Sequence, residues 1–154
     1  MLVKDIMFTD FITLSPKMTF FEAAKIFLSK RISGAPVVDE KGTLVGILSE
    51  KDLFRGLYPS YEKYYTDPDY YLSEQGLQEA MEESKNKLVE DVMSKRIITA
   101  TPETPILKIG GLMVATGIHR IPVIDKNNKV IGMVTRGDTY RKILQEKFDL
   151  YTIA

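Results

Sequence analysis

Apolar side chains fall at Phe20, Ala23, Ala24, Phe27 and Leu28, the i, i+3, i+4, i+7, i+8 spacing that lays one stripe along a helix. Thr19 and Glu22 ahead of that stripe have the form of a capping box, the Thr hydroxyl accepting a free helix N–H while the Glu carboxylate reaches back to the cap. A helix is expected to start there. Two short runs rich in β-branched residues follow, Ala35 to Val38 and Leu44 to Leu48, parted by Asp39-Glu40-Lys41-Gly42, which reads as a hairpin. Ser49 to Asp52 opens a last short helix. The order then returns. Ile106, Ile109, Gly110, Met113 and Val114 form a second stripe behind Thr104 as N-cap and Pro105 at the first helical position, where a missing N–H costs nothing. Ile121 to Ile124 and Val130 to Val134 flank Asp125-Lys126-Asn127-Asn128, and Thr135 to Asp138 opens the closing helix. Asn128 stands where Gly42 stood, and both tolerate positive φ.

These likenesses are one internal repeat. Val3-Lys4-Asp5-Ile6-Met7 and Val89-Glu90-Asp91-Val92-Met93 stand 86 positions apart, and the offset holds without a gap to Arg55 and Arg141. Ile12-Thr13 meets Ile98-Thr99, Pro16 meets Pro102, Pro36-Val37 meets Pro122-Val123, Gly46 meets Gly132 and Asp52 meets Asp138. Two copies at so long a period predict two pseudo-symmetric halves, each β-α-β-β-α, rather than a solenoid. The fold class is thus mixed α/β, with the two halves expected to pack on each other. The expected division is 1–57 for the first repeat, 58–88 for an insertion, 89–145 for the second repeat and 146–154 for a tail.

The insertion has no counterpart in the repeat. Tyr58, Tyr61, Tyr64 and Tyr65 are at helical spacing, Asp67-Pro68 offers a cap and a first-turn proline, and Leu77, Ala80, Met81, Ser84 and Leu88 make another stripe, so two helices are expected. The tyrosines suit either the edge of a core or a partner surface, since their rings are apolar with one polar tip.

Composition narrows the chemistry. The 154 residues contain 21 Lys plus Arg against 21 Asp plus Glu, so no net charge draws the molecule to a polyanion, and nucleic acid is not an expected partner. With no Cys there is no thiolate, disulfide or Cys-based metal site, and the single His119 leaves little for a His-rich one. No Gly-x-Ser-x-Gly elbow and no G-x-x-x-x-G-K-[ST] loop occurs, so neither catalysis nor P-loop hydrolysis is expected. The start of the chain lacks a signal-peptide pattern and no apolar run approaches a membrane span, which places the protein in the cytoplasm as an expectation.

In both copies a Thr-containing loop, a small or basic pair before an apolar-Pro step, and Gly-x-x-[Ser/Thr]-x-x-Asp follow one another. This pattern resembles the cystathionine β-synthase (CBS) domain, and two in tandem resemble the CBS pair, or Bateman module. The resemblance spans nearly all the chain except Tyr58 to Leu88 and the residues after about Leu144. It implies a regulatory module whose halves pack through their sheets, with two clefts between them that hold adenosine-containing ligands such as AMP, ADP, ATP or S-adenosylmethionine. Apart from the resemblance, Asp67-Pro68-Asp69 is too sparse for a dedicated Mg site, while a bound nucleotide can bring its own Mg. No covalent cofactor is implied. By resemblance Asp52 and Asp138 take the ribose hydroxyls, and Ser49 and Thr135 lie beside ribose or phosphate. Ile32, Ser33 and Gly34 in the first half, with Ile118, His119, Arg120 and Pro122 in the second, line base and phosphate, and Thr13 and Thr99 sit beside the base. A homodimer is likewise implied, and since no fused effector domain is visible in the sequence, any regulated partner is expected to be a separate chain.

Physical chemistry allows those roles. A carboxylate only accepts hydrogen bonds and so can take both donors of a cis-diol, while an Arg guanidinium forks onto phosphate. Ser-x-x-Asp is equally a helix cap, and the two roles can coexist. His119-Arg120 stands where Ser33-Gly34 stands, and Arg136-Gly137 where Glu50-Lys51 stands, so the second half is the better seat for phosphate. Arg55 and Arg141 either reach toward phosphate or serve as helix-face charges. A dimerisation scaffold that binds no ligand is the alternative reading.

Overall fold

The computed structural model describes residues 1–57 and 65–148, the side chain of Tyr71 excepted. In chain order the elements are α1 (Phe20–Lys30), β1 (Gly34–Val38), β2 (Leu44–Ser49), α2 (Glu50–Leu57), α3 (Pro68–Tyr71), α4 (Glu74–Ser84), α5 (Val89–Val92), α6 (Ile106–Thr116), β3 (Arg120–Ile124), β4 (Val130–Thr135) and α7 (Arg136–Lys147). β1 pairs with β2 and β3 with β4, giving two small sheets. Hairpins and helices thus form where the pattern puts them. Gly42 and Asn128 both adopt positive φ, at 81° and 61°. The strand expected ahead of each helix is a single parallel bridge, Leu14 on Val37 and Ala100 on Val123. Pro16 and Pro102, two residues on, lack the N–H that a longer ladder needs.

α1 starts on Thr19 with both hydrogen bonds of the capping box in place. α6 corrects the expectation that Thr104 is its cap. The residue equivalent to Thr19 is Pro105, which occupies the N-cap, while the Thr104 hydroxyl accepts the Thr101 N–H at 2.9 Å. Both stripes also end sooner than their spacing suggests. Phe20, Ala23 and Phe27 are buried, as are Ile106, Ile109 and Met113, but Leu28 is 81% exposed and the equivalent Val114 73%. In the insertion, Asp67 caps α3 with Pro68 in its first turn and Ser73 caps α4. There Leu77 and Met81 are exposed; α4 instead buries the small residues Gly76 and Ser84, whose hydroxyl donates to the Gly56 carbonyl of α2 at 3.1 Å. Small side chains permit that close approach. Tyr58, Tyr61 and Tyr64 lie outside the described residues.

The chain divides into two compact units that do not follow the repeat. One joins Met1–Ile12 and Lys41–Leu44 to the chain from Ile98 onward; the other is Thr13–Glu40 with Val45–Ile97. Each copy is therefore completed by the segment that opens the other copy. In the first of these units Val3 is fully buried among Ala100, Ile109, Met113, Ile121, Val123 and Val134. Its N–H donates to the Thr104 carbonyl at 2.8 Å, and Phe8 bridges Met133. Ile106, the first residue of α6, donates its N–H to the Met1 carbonyl at 3.1 Å. In the other unit every bond recurs 86 positions along: Val89 N–H to Met18 carbonyl at 2.7 Å, Ser94 on Ile47, and Phe20 N–H to Lys87 carbonyl at 2.7 Å. A helix start that has N–H groups to spare is in each case met by the incoming segment's backbone.

Candidate functional site

In the second copy the β3–β4 register sets Arg120 opposite Thr135, Ile121 opposite Val134 and Pro122 opposite Met133. The ladder is extended by one bond at its end, where the Arg136 N–H donates to the His119 carbonyl at 2.8 Å. Register thus gathers His119, Arg120, Thr135 and Arg136 at one end of the hairpin, and Asp138 follows in the first turn of α7. The Arg136 guanidinium Nη1 lies 2.9 Å from His119 Nε2. A guanidinium can only donate, so in this contact the imidazole nitrogen is the acceptor.

The Thr135 hydroxyl accepts the Asp138 N–H at 3.2 Å and donates to the Asp138 carboxylate at 2.7 Å. Arg141 Nη1 donates to the other carboxylate oxygen at 3.1 Å. In the first copy the Ser49 hydroxyl accepts the Asp52 N–H at 3.3 Å, and Asp52 Oδ2 takes both the Ser49 N–H at 2.8 Å and the Ser49 hydroxyl at 3.0 Å. Arg55 donates to Asp52 Oδ1 at 3.3 Å. The capping role of Ser/Thr-x-x-Asp is thus realised in both copies, and Arg55 and Arg141 are held by the aspartates of their own helices. The carboxylates differ in access. The Asp52 side chain is 7% exposed and that of Asp138 43%. Glu50 occupies the place of Arg136, its N–H donating to the Ser33 carbonyl at 3.0 Å.

The remaining residues singled out from the sequence surround these. Thr13 and Thr99 each precede the bridging residue, Leu14 or Ala100, whose N–H donates to the carbonyl of Pro36 or Pro122 at 3.0 and 2.9 Å. Ile32 is half-buried, its N–H on the Phe27 carbonyl at 3.1 Å, and Ser33 and Gly34 lead into β1 half-buried. Ile118 packs against the core and Pro122 is buried in β3, so both also serve packing. What sequence reasoning missed is the contact of Arg136 with His119: the charge of Arg136 is plain in the sequence, but the contact depends on hairpin register.

Residues 3–58 and 89–145 match the family model for the CBS domain. The chain belongs to the CBS domain family. An uncharacterized protein from Methanocaldococcus jannaschii, MJ1426, is 35% identical over 94% of this chain and 92% of its own length. Further relatives are longer proteins, of which this CBS pair spans about a quarter. Among solved structures, CBSX2 in complex with AMP is similar at a TM-score of 0.72, with 27% identity over 95% of this chain and 98% of that one. The CBS domain pair of protein MJ0100, solved with 5′-methylthioadenosine and S-adenosyl-L-methionine, gives a TM-score of 0.68 and 29% identity over 95% and 98%. Among the described residues of this CBS pair, no helix is long and apolar enough to cross a membrane, and no three His, Asp or Glu gather as a metal ion would need.

Proposed function

We propose that this CBS pair is a regulatory module that binds an adenosine-containing ligand at the Thr135–Asp138 half-site and passes its occupancy to a partner protein. The observation that carries the reading is the accessible Asp138 carboxylate beside the His119–Arg136 contact. An acceptor-only carboxylate suits a cis-diol, and cationic donors next to it suit phosphate. Similar CBS pairs solved with AMP, or with 5′-methylthioadenosine and S-adenosyl-L-methionine, support the ligand class. AMP, ADP or ATP, with Mg where the phosphate chain is long enough to bind it, is favoured over a sulfonium ligand here, because Arg120, Arg136 and Arg141 surround Asp138 in sequence and register. The enclosed Asp52 and the acidic Glu50 make the first half-site the poorer seat for an anion. The ligand shifts the population of two states of the module by no more than its difference in affinity for them. The module has no catalytic step of its own and works in the cytoplasm.

The test is thermal denaturation with AMP, ADP, ATP, NAD and S-adenosylmethionine, with and without Mg, on wild type, Asp52→Ala and Asp138→Ala. At 100 times its dissociation constant a ligand adds about 2.7 kcal/mol. The increment disappears in Asp138→Ala and survives in Asp52→Ala; no increment with any compound removes the reading. A homodimer scaffold is the second reading, favoured by apolar residues exposed at equivalent helix positions, Phe21 with Leu107 and Leu28 with Val114. A dimer by light scattering that is indifferent to every compound would establish it.

A further inference from the structure

The two segments that complete the opposite copies are nearly one peptide, Leu2-Val3-Lys4-Asp5-Ile6-Met7 and Leu88-Val89-Glu90-Asp91-Val92-Met93. Each is held by the same backbone bonds, and each Asp carboxylate accepts the N–H three residues back, Leu2 at 2.8 Å and Leu88 at 3.1 Å. Charge separates them at one position alone. Lys4 Nζ lies 3.1 Å from Glu103 Oε1, whereas Glu90 Oε1 lies 2.9 Å from Lys17 Nζ. Lys17 and Glu103 are themselves equivalent, so one ion pair occurs twice with its polarity reversed. Glu90, by hydrogen bond and then by charge, raises the pKa of Lys17. With the roles exchanged, Lys4 would face Lys17 and Glu90 would face Glu103.

Chain length does not prevent that exchange. Phe8 would have to reach Ile47 while Leu14 stays on Val37, a span of about three ladder spacings, or ~14 Å, against about 20 Å for six extended residues. Apolar anchors and backbone bonds fit either host equally. We propose that Lys4–Glu103 and Glu90–Lys17 are a sorting code that sends each segment to the opposite copy and bars it from its own. The same code acts on a segment offered by a second molecule. Each pair is exposed and weak by itself, but misdocking loses two attractions and gains two repulsions, which sets the expected discrimination at about tenfold or more.

Because the chain has no cysteine, paired cysteines report docking cleanly. Leu2 bridges Pro105 and Leu88 bridges Thr19, so Leu2→Cys with Pro105→Cys reports the observed docking and Leu2→Cys with Thr19→Cys reports docking on the segment's own copy. With the native charges only the first pair closes. Lys4→Glu with Glu90→Lys inverts the code and raises closure of the second pair about tenfold, within one chain or as a cross-linked dimer. Lys4→Glu with Glu103→Lys keeps two attractive pairs but makes every combination attractive, so both reporters close. Should the inverted variant fail to fold by circular dichroism, this second variant decides. Closure of the Leu2–Pro105 reporter alone in every folded background would overturn the proposal and leave connectivity as the determinant.

Discussion

Arg31 and Gly117 end α1 and α6 at equivalent positions, both in the left-handed region at φ 53° and 72°. Glycine adopts that conformation freely, while a side chain bears a penalty of about 1–2 kcal/mol, partly offset by the freedom glycine gives the unfolded chain. Arg31→Gly is therefore expected to stabilise by about 0.5–1 kcal/mol and Gly117→Ala to destabilise by about 1 kcal/mol, both read from urea midpoints. The aspartates divide in the same way. Asp52 accepts from Ser49 N–H, Ser49 hydroxyl and Arg55 in a buried place, so Asp52→Ala costs about 1–2 kcal/mol without ligand. Asp138→Ala costs less, because water reaches the donors it leaves. Thermal unfolding of the two variants without ligand gives the order, and only the ligand increment then bears on binding.

Gly46 and Gly132 are where the strands meet the docking segments. A Cβ on Gly46 would stand 2.3 Å from Met93 Sδ, and one on Gly132 would stand 3.0 Å from Met7 Sδ and 3.3 Å from the Phe8 carbonyl. Gly46→Ala and Gly132→Ala are each expected to destabilise by about 1–3 kcal/mol, Gly46→Ala the more, as chemical denaturation would show. These elements also show what sequence can and cannot reveal. Thr19–Glu22 and the Gly42 and Asn128 turns are legible because their bonds close within a few residues. The ends of the stripes are not, since periodicity tells which face Leu28 and Val114 share but not how far the facing sheet extends. Arg136 on His119 needs the strand register, and the seat of Val3 needs contacts a hundred residues away that Val89 matches equally well. The Asp52 and Asp138 positions were readable from the repeat; that one is enclosed and the other open was not, because burial is decided by what packs around them.

At the scale of the molecule, repeat and compact unit are different divisions of one chain. Removing residues 1–12 takes Val3, Ile6 and Met7 from the core that holds Ile109, Met113 and Val134. Amide exchange should therefore accelerate across Ile98 to Phe148 far more than across Thr13 to Glu40 and Val45 to Leu57, although the deletion lies beside the latter in sequence. Uniform acceleration would contradict the division, as would loss confined to the first copy. The crossed segments also impose a timetable on biosynthesis. Residues 1–12 leave the ribosome well before Thr104 and Met133, which receive them. At about 5–20 residues per second, the opening segment waits from several seconds to about half a minute with Val3 and Met7 uncovered. The first copy in its turn is finished only once Val89 has been translated, so a nascent chain stalled before that point holds no completed half for a chaperone to release.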